Sequence, residues 1–350
     1  MTARIYLDHA ATTPLLPQAR TAMLEGFAQW ANPSSPHAAG RAARALLEDA
    51  RGRIARALGW GGSVILTSGA SEAIAIALGR AKAARLLAGE TEHDAVLRLV
   101  PAAQRLAVDA AGQVILPDAI EAGTLFAIQQ VNSETGVIQP LDSFAERIHA
   151  AGALLLADCS QSAGKLPLPQ AADLIALSAH KLGGPIGIGA LLVRDLTLLR
   201  PAGGQEQGYR AGTEAMPLAL GFAAALEAPR DWLRDVAEWR ARLEAGVKAA
   251  GGEIVAERAP RLATIGSYRM PGVSAQAQLI RFDMAGIAIS AGSACSSGSL
   301  RPSHVLSAMG WGAGATSEVV RVTMGHDSRA ADIDAFLAQW QAIATGTRKT

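Results

Sequence analysis

Cysteine is nearly missing from this chain. Only Cys159 and Cys295 occur in 350 residues, and they lie far apart. That count argues against a disulfide scaffold and for two reduced thiols, at least one of them open to chemistry. Lysine is scarce as well: of 32 basic residues only Lys82, Lys165, Lys181, Lys248 and Lys349 are lysines. Charge imbalance is absent, with a formal net charge of +1, so nothing electrostatic draws the chain to nucleic acid or an anionic membrane. No apolar run reaches the roughly 18 residues that span a bilayer. The segment Met1–Ala10 lacks a cationic-then-apolar leader pattern, and a cytoplasmic location is expected.

What is present describes an ordered globular protein: 50% hydrophobic residues, 36 glycines and 18% charged residues. The length exceeds a single core, so one large domain and a smaller one are expected. From about residue 60 to 200, short β-compatible apolar runs alternate with helical stretches. Ser63–Thr67, Leu125–Val131, Leu154–Ala157, Leu174–Ser178 and Gly189–Val193 read as buried strands, while Ala70–Leu87 and Phe144–Ala151 read as helices. This alternation predicts an α/β fold with a mostly parallel sheet covered on both faces. Helices over Leu218–Ala228 and Asp231–Ala249 follow. A different texture begins near Gly252, with strands at Leu262–Tyr268 and Val319–Thr323 and a helix near Gln276–Met284. The expected division is a large domain over residues 14–249, with residues 1–13 and 250–350 in the smaller α+β domain.

The chemistry lies where the strands stop. Ser63–Thr67 runs into Thr67-Ser68-Gly69-Ala70-Ser71-Glu72 and then a helix. Free amides and the helix dipole there favour a phosphate, although an ordinary N-cap by Ser68 or Ser71 is the plainer alternative. The next strands end at Asn132-Ser133-Glu134-Thr135-Gly136, at Asp158-Cys159-Ser160-Gln161 and at Ser178-Ala179-His180-Lys181. Ligands bind beyond the C-terminal ends of such strands. Lys181, after a buried strand and before Gly183-Gly184, has the setting of a Schiff-base lysine, whose amine is activated by desolvation. Asp158 would then keep a pyridine nitrogen protonated, and Ser71, Ser178 and His180 would grip a phosphate. That set describes pyridoxal 5'-phosphate, with Lys165 the one rival amine.

At these residues the chain resembles the cysteine desulfurases of the class V aminotransferase, or fold-type I, superfamily. The resemblance is carried in order by Leu7-Asp8-His9-Ala10-Ala11-Thr12-Thr13-Pro14, Asn32-Pro33-Ser34-Ser35, Thr67–Glu72, Thr91-Glu92-His93, Asn132–Gly136 and Asp158…Gln161-Ser162. It continues through Ser178–Lys181, Gly203-Gly204-Gln205-Glu206…Arg210…Thr213, Ser293-Ala294-Cys295-Ser296-Ser297-Gly298 and Arg321. The resemblance implies that Lys181 holds pyridoxal phosphate, Asp158 partners its ring nitrogen, Gln161 its ring hydroxyl and His93 stacks on the ring. It implies phosphate contacts from Ala70, Ser71, Ser178 and His180. It implies further that Thr213 reaches the neighbouring subunit of a homodimer, and that Asn132 and Arg321 take the substrate carboxylate, for which a bidentate guanidinium is suited.

Cys295 stands in Ser290–Ser299, a run of small residues that predicts an exposed loop, where an unprotected thiol is best explained by its use. The resemblance makes it the sulfur-accepting nucleophile: L-cysteine is the substrate, alanine the product, and a Cys295 persulfide passes sulfur to protein acceptors, an iron–sulfur scaffold or a thiolation pathway. Cys159, beside Asp158, reads as a small buried residue. The chain departs from the family pattern at Gln207, Ala215 and Ile186, and the longer tail with which some members dock a scaffold is expected to be absent. No metal is implied. A selenocysteine lyase or an aminotransferase of the same fold is the alternative, and an aminotransferase would have no use for Cys295.

Overall fold

The computed structural model describes residues 4–292 and 302–347. Seven strands form one sheet: β2 (Ser63–Thr67), β3 (Arg85–Gly89), β4 (Arg105–Leu106), β5 (Thr124–Gln129), β6 (Leu154–Asp158), β7 (Leu174–Ser178) and β8 (Gly189–Val193). Their order is β2-β8-β7-β6-β5-β3-β4, and only β8 runs antiparallel to its neighbours. Strands β5 and β7 are buried along their whole length. Such runs need cover on both faces, and period-2 alternation sorts them between two cores. Phe126, Ile128, Leu155, Ile175 and Leu177 face one core, shared with α1 (Pro17–Ala28), α2 (Ala38–Ala57), α5 (Leu141–Ala150) and α6 (Met216–Glu227). Leu125, Ala127, Leu156, Leu174 and Ala176 face the other, which holds α3 (Ala70–Arg80) and α4 (Asp94–Leu97).

A separate core gathers most of the remaining elements. Strands β9 (Glu253–Ile254), β10 (Ile265–Arg269) and β12 (Val319–Thr323) form an antiparallel sheet, and β1 (Ile5–Tyr6) pairs in parallel with β11 (Ile287–Ala288). Around them lie α7 (Leu233–Ala249), α8 (Ala275–Met284) and α11 (Ala330–Thr347), whereas α9 (His304–Ala308), next to α10 (Ala313–Thr316), packs Val305 and Leu306 into the first core. Stacked Phe282 and Phe336, with Trp340, Tyr268 and Leu7, fill this core, and α7 buries Val236, Leu243 and Val247 here.

The helix expected over Ala70–Leu87 ends at Arg80, and Arg85–Gly89 is strand β3, paired with β5. Its Leu-Leu-Ala run packs equally well in either conformation, and only pairing with β5 decides it. Lys82 therefore lies past the end of α3 rather than within it. Close approach sets one glycine: a Cβ on Gly189 would sit 2.4 Å from the Leu177 carbonyl oxygen and 2.7 Å from Gly69 Cα. The first residue of β8 is thus wedged between β7 and the turn that follows β2.

Candidate active site

Because β2, β5, β6 and β7 run parallel, their C-terminal ends share one edge, and each ends in polar residues. After β2 the N-cap of α3 is Gly69, which offers no side-chain cap. The first helical bond, from the Ala73 amide to the Gly69 carbonyl, leaves the amides of Ala70, Ser71 and Glu72 to another acceptor. The plainer N-cap reading of Ser68 or Ser71 is therefore not what the structure adopts. Glu72 folds back to accept from the Ser68 amide and from Arg210 Nε (3.0 Å), which draws the 203–213 loop toward this turn. Ser178 Oγ lies 4.0 Å from where a Cβ on Gly69 would be. The two expected phosphate contacts, at the start of α3 and the end of β7, thus adjoin.

The segment after β7 is laced to the N-terminal segment. The Thr13 amide donates to the His180 carbonyl (2.8 Å), Thr13 Oγ1 to the Lys181 carbonyl (3.2 Å), and His180 Nδ1 meets Thr12 Oγ1 (3.1 Å). Burial, and then the charge of Lys181, pull His180 down to about 4, so its ring is neutral near pH 7. Burial likewise lowers Lys181, with Asp158 opposing and Arg321 assisting. A lowered amine is the one that attacks a carbonyl.

Asp158, at the end of β6, accepts from the Ser160 amide (2.9 Å) and hydroxyl (2.5 Å) through Oδ1. Among the described residues Oδ2 has no protein donor. Gln161 donates through Nε2 to the Ala10 carbonyl (3.0 Å), and its Oε1 is buried without any partner. An orphaned buried amide oxygen costs about 1–3 kcal/mol unless something bonds it. A cofactor bearing a ring nitrogen, a hydroxyl and a phosphate meets Asp158 Oδ2, Gln161 and the α3 amides with matching chemistry. The residues present fit pyridoxal phosphate.

His93 caps α4, and its Nδ1 accepts from the Ala95 amide (3.1 Å), so the neutral ring carries its proton on Nε2. Desolvation, then the Lys181 charge, hold it below the usual imidazole value. Asn132 Oδ1 accepts from the amides of Glu134 and Thr135 (both 2.9 Å) and from the Thr135 hydroxyl, and Nδ2 donates to the Thr91 carbonyl (3.1 Å). One N–H of that amide remains for a ligand. Arg321, on β12, donates to Asp8 Oδ1 (2.7 Å) and the Ser133 carbonyl (3.1 Å), and its buried Nε has no partner among the described residues. A substrate carboxylate would have to displace Asp8 from this fork. Thr213 is exposed and makes no polar contact within its own chain among the described residues. Cys295 lies outside the described residues. Cys159 is fully buried, and burial raises its thiol well above the usual range.

Two buried carboxylates carried no assigned role in the sequence, and Lys165 stood there only as the rival amine. Glu92, beside His93, accepts from the Gln129 amide through Oε1 (2.9 Å), and its Oε2 has no partner. Complete burial, with the charge of Asp158 adding, holds it well above the usual carboxylate range. Glu134 meets both flanks of the segment that carries Cys295. Ser303 Oγ donates to its Oε2 (2.5 Å), and a Cβ on Gly292 would lie 2.2 Å from that same oxygen. Lys165 lines a cavity together with Lys181. A glutamate in a polar turn reads as solvated, and only its position behind the strand ends buries it.

The family described as aminotransferase class-V matches residues 5–336. A cysteine desulfurase of Cereibacter sphaeroides is 35% identical over 95% of this chain and 94% of its own length. An IscS-like cysteine desulfurase of Mycobacterium tuberculosis is 35% identical with the same shares. Among solved structures, a NifS-like protein from Rickettsia africae superimposes with a TM-score of 0.89 at 27% identity, covering 98% of this chain and 99% of that one. A structure described as SspA in complex with cysteine gives 0.79 at 29% identity, covering 91% of this chain and 98% of the other.

Proposed function

The chain belongs to the class-V aminotransferase family, and we propose that within it the protein is a pyridoxal-phosphate-dependent cysteine desulfurase. It converts L-cysteine to L-alanine and takes the sulfur on Cys295. The observation that carries the reading is the meeting of a lowered Lys181 amine, a donor-free Asp158 oxygen and an orphaned Gln161 oxygen at one sheet edge. The cysteine desulfurase relatives supply the substrate.

When bound, the cofactor supplies an electron sink for the carbanion at the substrate α-carbon. Lys181 would anchor it, and its amine, lowered by burial, would take the substrate α-proton when free. His93, with its proton on Nε2, would donate and recover a proton at the substrate. Asp158 keeps the ring nitrogen protonated, Gln161 bonds the ring hydroxyl, and Ala70, Ser71, Ser178 and His180 hold the phosphate. Asn132 and Arg321 orient the substrate carboxylate. The Cys295 thiolate attacks the substrate sulfur, the carbon–sulfur bond breaks as the sulfur–sulfur bond forms, and its electron pair stays on what becomes alanine. The products are alanine and a Cys295 persulfide.

The working unit is a homodimer in which Thr213 reaches the partner's phosphate, in keeping with its exposure. The cofactor domain spans residues 14–249, with 1–13 and 250–350 in the domain bearing Cys295, except that α7 packs in the core of the latter. A cytoplasmic site and protein acceptors, an iron–sulfur scaffold among them, complete the proposal.

The test mixes the protein with L-cysteine, assays alanine and searches Cys295 for added sulfur by mass spectrometry. Cys295→Ser should keep the absorbance near 400 nm and lose both products, whereas Lys181→Ala should lose that absorbance. Alanine formed without sulfur on Cys295 overturns the mechanism.

A further inference from the structure

Arg321 already holds a carboxylate. Its Nη2 donates to Asp8 Oδ1 (2.7 Å), Nη1 donates to the Ser133 carbonyl (3.1 Å), and the buried Nε has no partner among the described residues. The two partners are unequally placed. The Arg321 side chain is 8% exposed and that of Asp8 20%, so the cation is enclosed while the acid reaches solvent. The Arg321 main chain is fixed too, exchanging both of its hydrogen bonds with Ser290 (3.2 and 2.6 Å). Among the described residues Arg321 is the one donor to the Asp8 carboxylate, yet the Asp8 main chain is pinned. Its carbonyl accepts from the Ala11 amide (3.1 Å) and the Tyr6 hydroxyl (3.1 Å), and the residue bridges in parallel to Thr323. Leaving Arg321 therefore takes a rotation of one side chain and no change of fold.

We propose that Asp8 is an internal competitor for the substrate carboxylate: it fills the Arg321 fork in the empty enzyme and turns to solvent when an amino acid arrives. The inference rests on the assignment of Arg321 to that carboxylate and adds a residue to it. A buried guanidinium left alone is costly, so the empty site needs an anion. Asp8 supplies one from within the chain, and a small free anion finds the fork taken. An arriving substrate must break that ion pair before it binds, which weakens every ligand bearing a carboxylate by the same factor. Uniform weakening of this kind raises KM and leaves kcat alone. Asp8 thus sets affinity without touching the reacting atoms.

The cofactor-loaded protein provides the test. Asp8→Asn keeps the size of the side chain and removes its charge. L-alanine, titrated against the cofactor absorbance, should bind the variant about tenfold more tightly, the order of one hydrogen bond to a charged group. KM for L-cysteine should fall by a similar factor with kcat not raised. Propionate has a carboxylate and no amine to react with the cofactor, and it should raise the melting temperature of Asp8→Asn more than that of wild type. Propionamide is the neutral control. If Asp8 only orients Arg321, the variant binds L-alanine more weakly and propionate gains nothing, and either result overturns the proposal. Wild-type crystals grown with and without L-alanine decide the matter if the variant fails to fold. The alanine carboxylate should occupy the Arg321 fork with Asp8 turned away. An alanine carboxylate on Arg321 beside an unmoved Asp8 overturns this inference and leaves the substrate assignment intact, whereas a carboxylate bound elsewhere overturns both.

Discussion

Replacing Glu206 with alanine should be the most damaging single change outside the strand ends. Its side chain is fully buried beneath the 203–213 loop. It accepts from Arg51 Nη1 (2.5 Å) and Nη2 (2.9 Å) and from the Leu66 amide on β2 (2.8 Å). Arg51 Nη1 also donates to the Val64 carbonyl (2.7 Å), so the pair joins α2, β2 and the loop. Hydrogen bonding to Glu206, with its charge, keeps the Arg51 guanidinium firmly protonated against desolvation. Glu206→Ala strands a buried cation and an amide, for which a loss of about 3–5 kcal/mol is expected. An unfolding entropy of about 2.1 cal/mol/K per residue over 350 residues turns that into a Tm drop of about 4–7 °C. Scanning calorimetry of Glu206→Ala, Arg51→Ala and the double variant measures both loss and coupling. The double variant should be less damaged than the two singles combined. A drop under about 1 °C, or additive losses, would refute this account of the loop's anchor.

Gly292→Ala would drive a methyl group into Glu134 Oε2, where the Cβ comes to 2.2 Å. Alanine production should fall at least tenfold while the 400 nm absorbance survives, as an enzyme assay beside a spectrum would report. Glu92→Gln should be tolerated near neutral pH, because the buried carboxyl is held well above the usual range and the amide mimics its protonated form. A raised folded-state value means wild-type stability falls as pH climbs from the unfolded carboxylate value toward the folded one, so denaturation from pH 4 to 8 should show a flatter profile in the variant. His180, lowered to about 4, works in the opposite sense. The unfolded chain binds a proton near pH 6.5 that the folded chain refuses until about 4, so stability falls as pH drops through that window. His180→Gln should shrink that acid loss in the same denaturation series, and an unchanged acid limb would refute the assignment.

The sheet and the strand-end residues were legible because burial on both faces leaves a signal in composition. β5, β6, β7 and β8 are short apolar runs whose polar endings stand out. β3 was not legible, because Arg85–Gly89 follows a helix of the same Ala- and Leu-rich texture without a proline or a second glycine to mark the break. The site divides along similar lines. Lys181, Asp158 and Gln161 follow strands directly, so topology alone brings them to one edge. Arg321 stands on β12 of another sheet, and its approach to Asp8 and Ser133 spans 313 and 188 residues. No local pattern encodes such a contact. The burial of Glu92 and Glu134 was invisible for a different reason, since charge in a turn signals solvent until the surrounding elements close over it.

That contrast bears on the two residues the chemistry needs most. Lys181 is held by contacts that also fold the protein: Thr12 and Thr13 pin its segment, and β7 delivers it. Its lowered amine is a consequence of the fold, and substitutions near it should trade stability against reactivity. The described residues on either side of the Cys295 segment instead meet one carboxylate. Glu134 meets Ser303, the N-cap of α9, and packs on Gly292, so both flanks of the Cys295 segment depend on a single side chain at the end of β5. That same turn carries Asn132, which the proposal assigns to the substrate carboxylate. The turn after β5 therefore joins the residue the proposal gives to the substrate carboxylate to both flanks of the segment that carries Cys295. Damage to Glu134 should uncouple sulfur transfer from cofactor binding, whereas damage at Lys181 should abolish both.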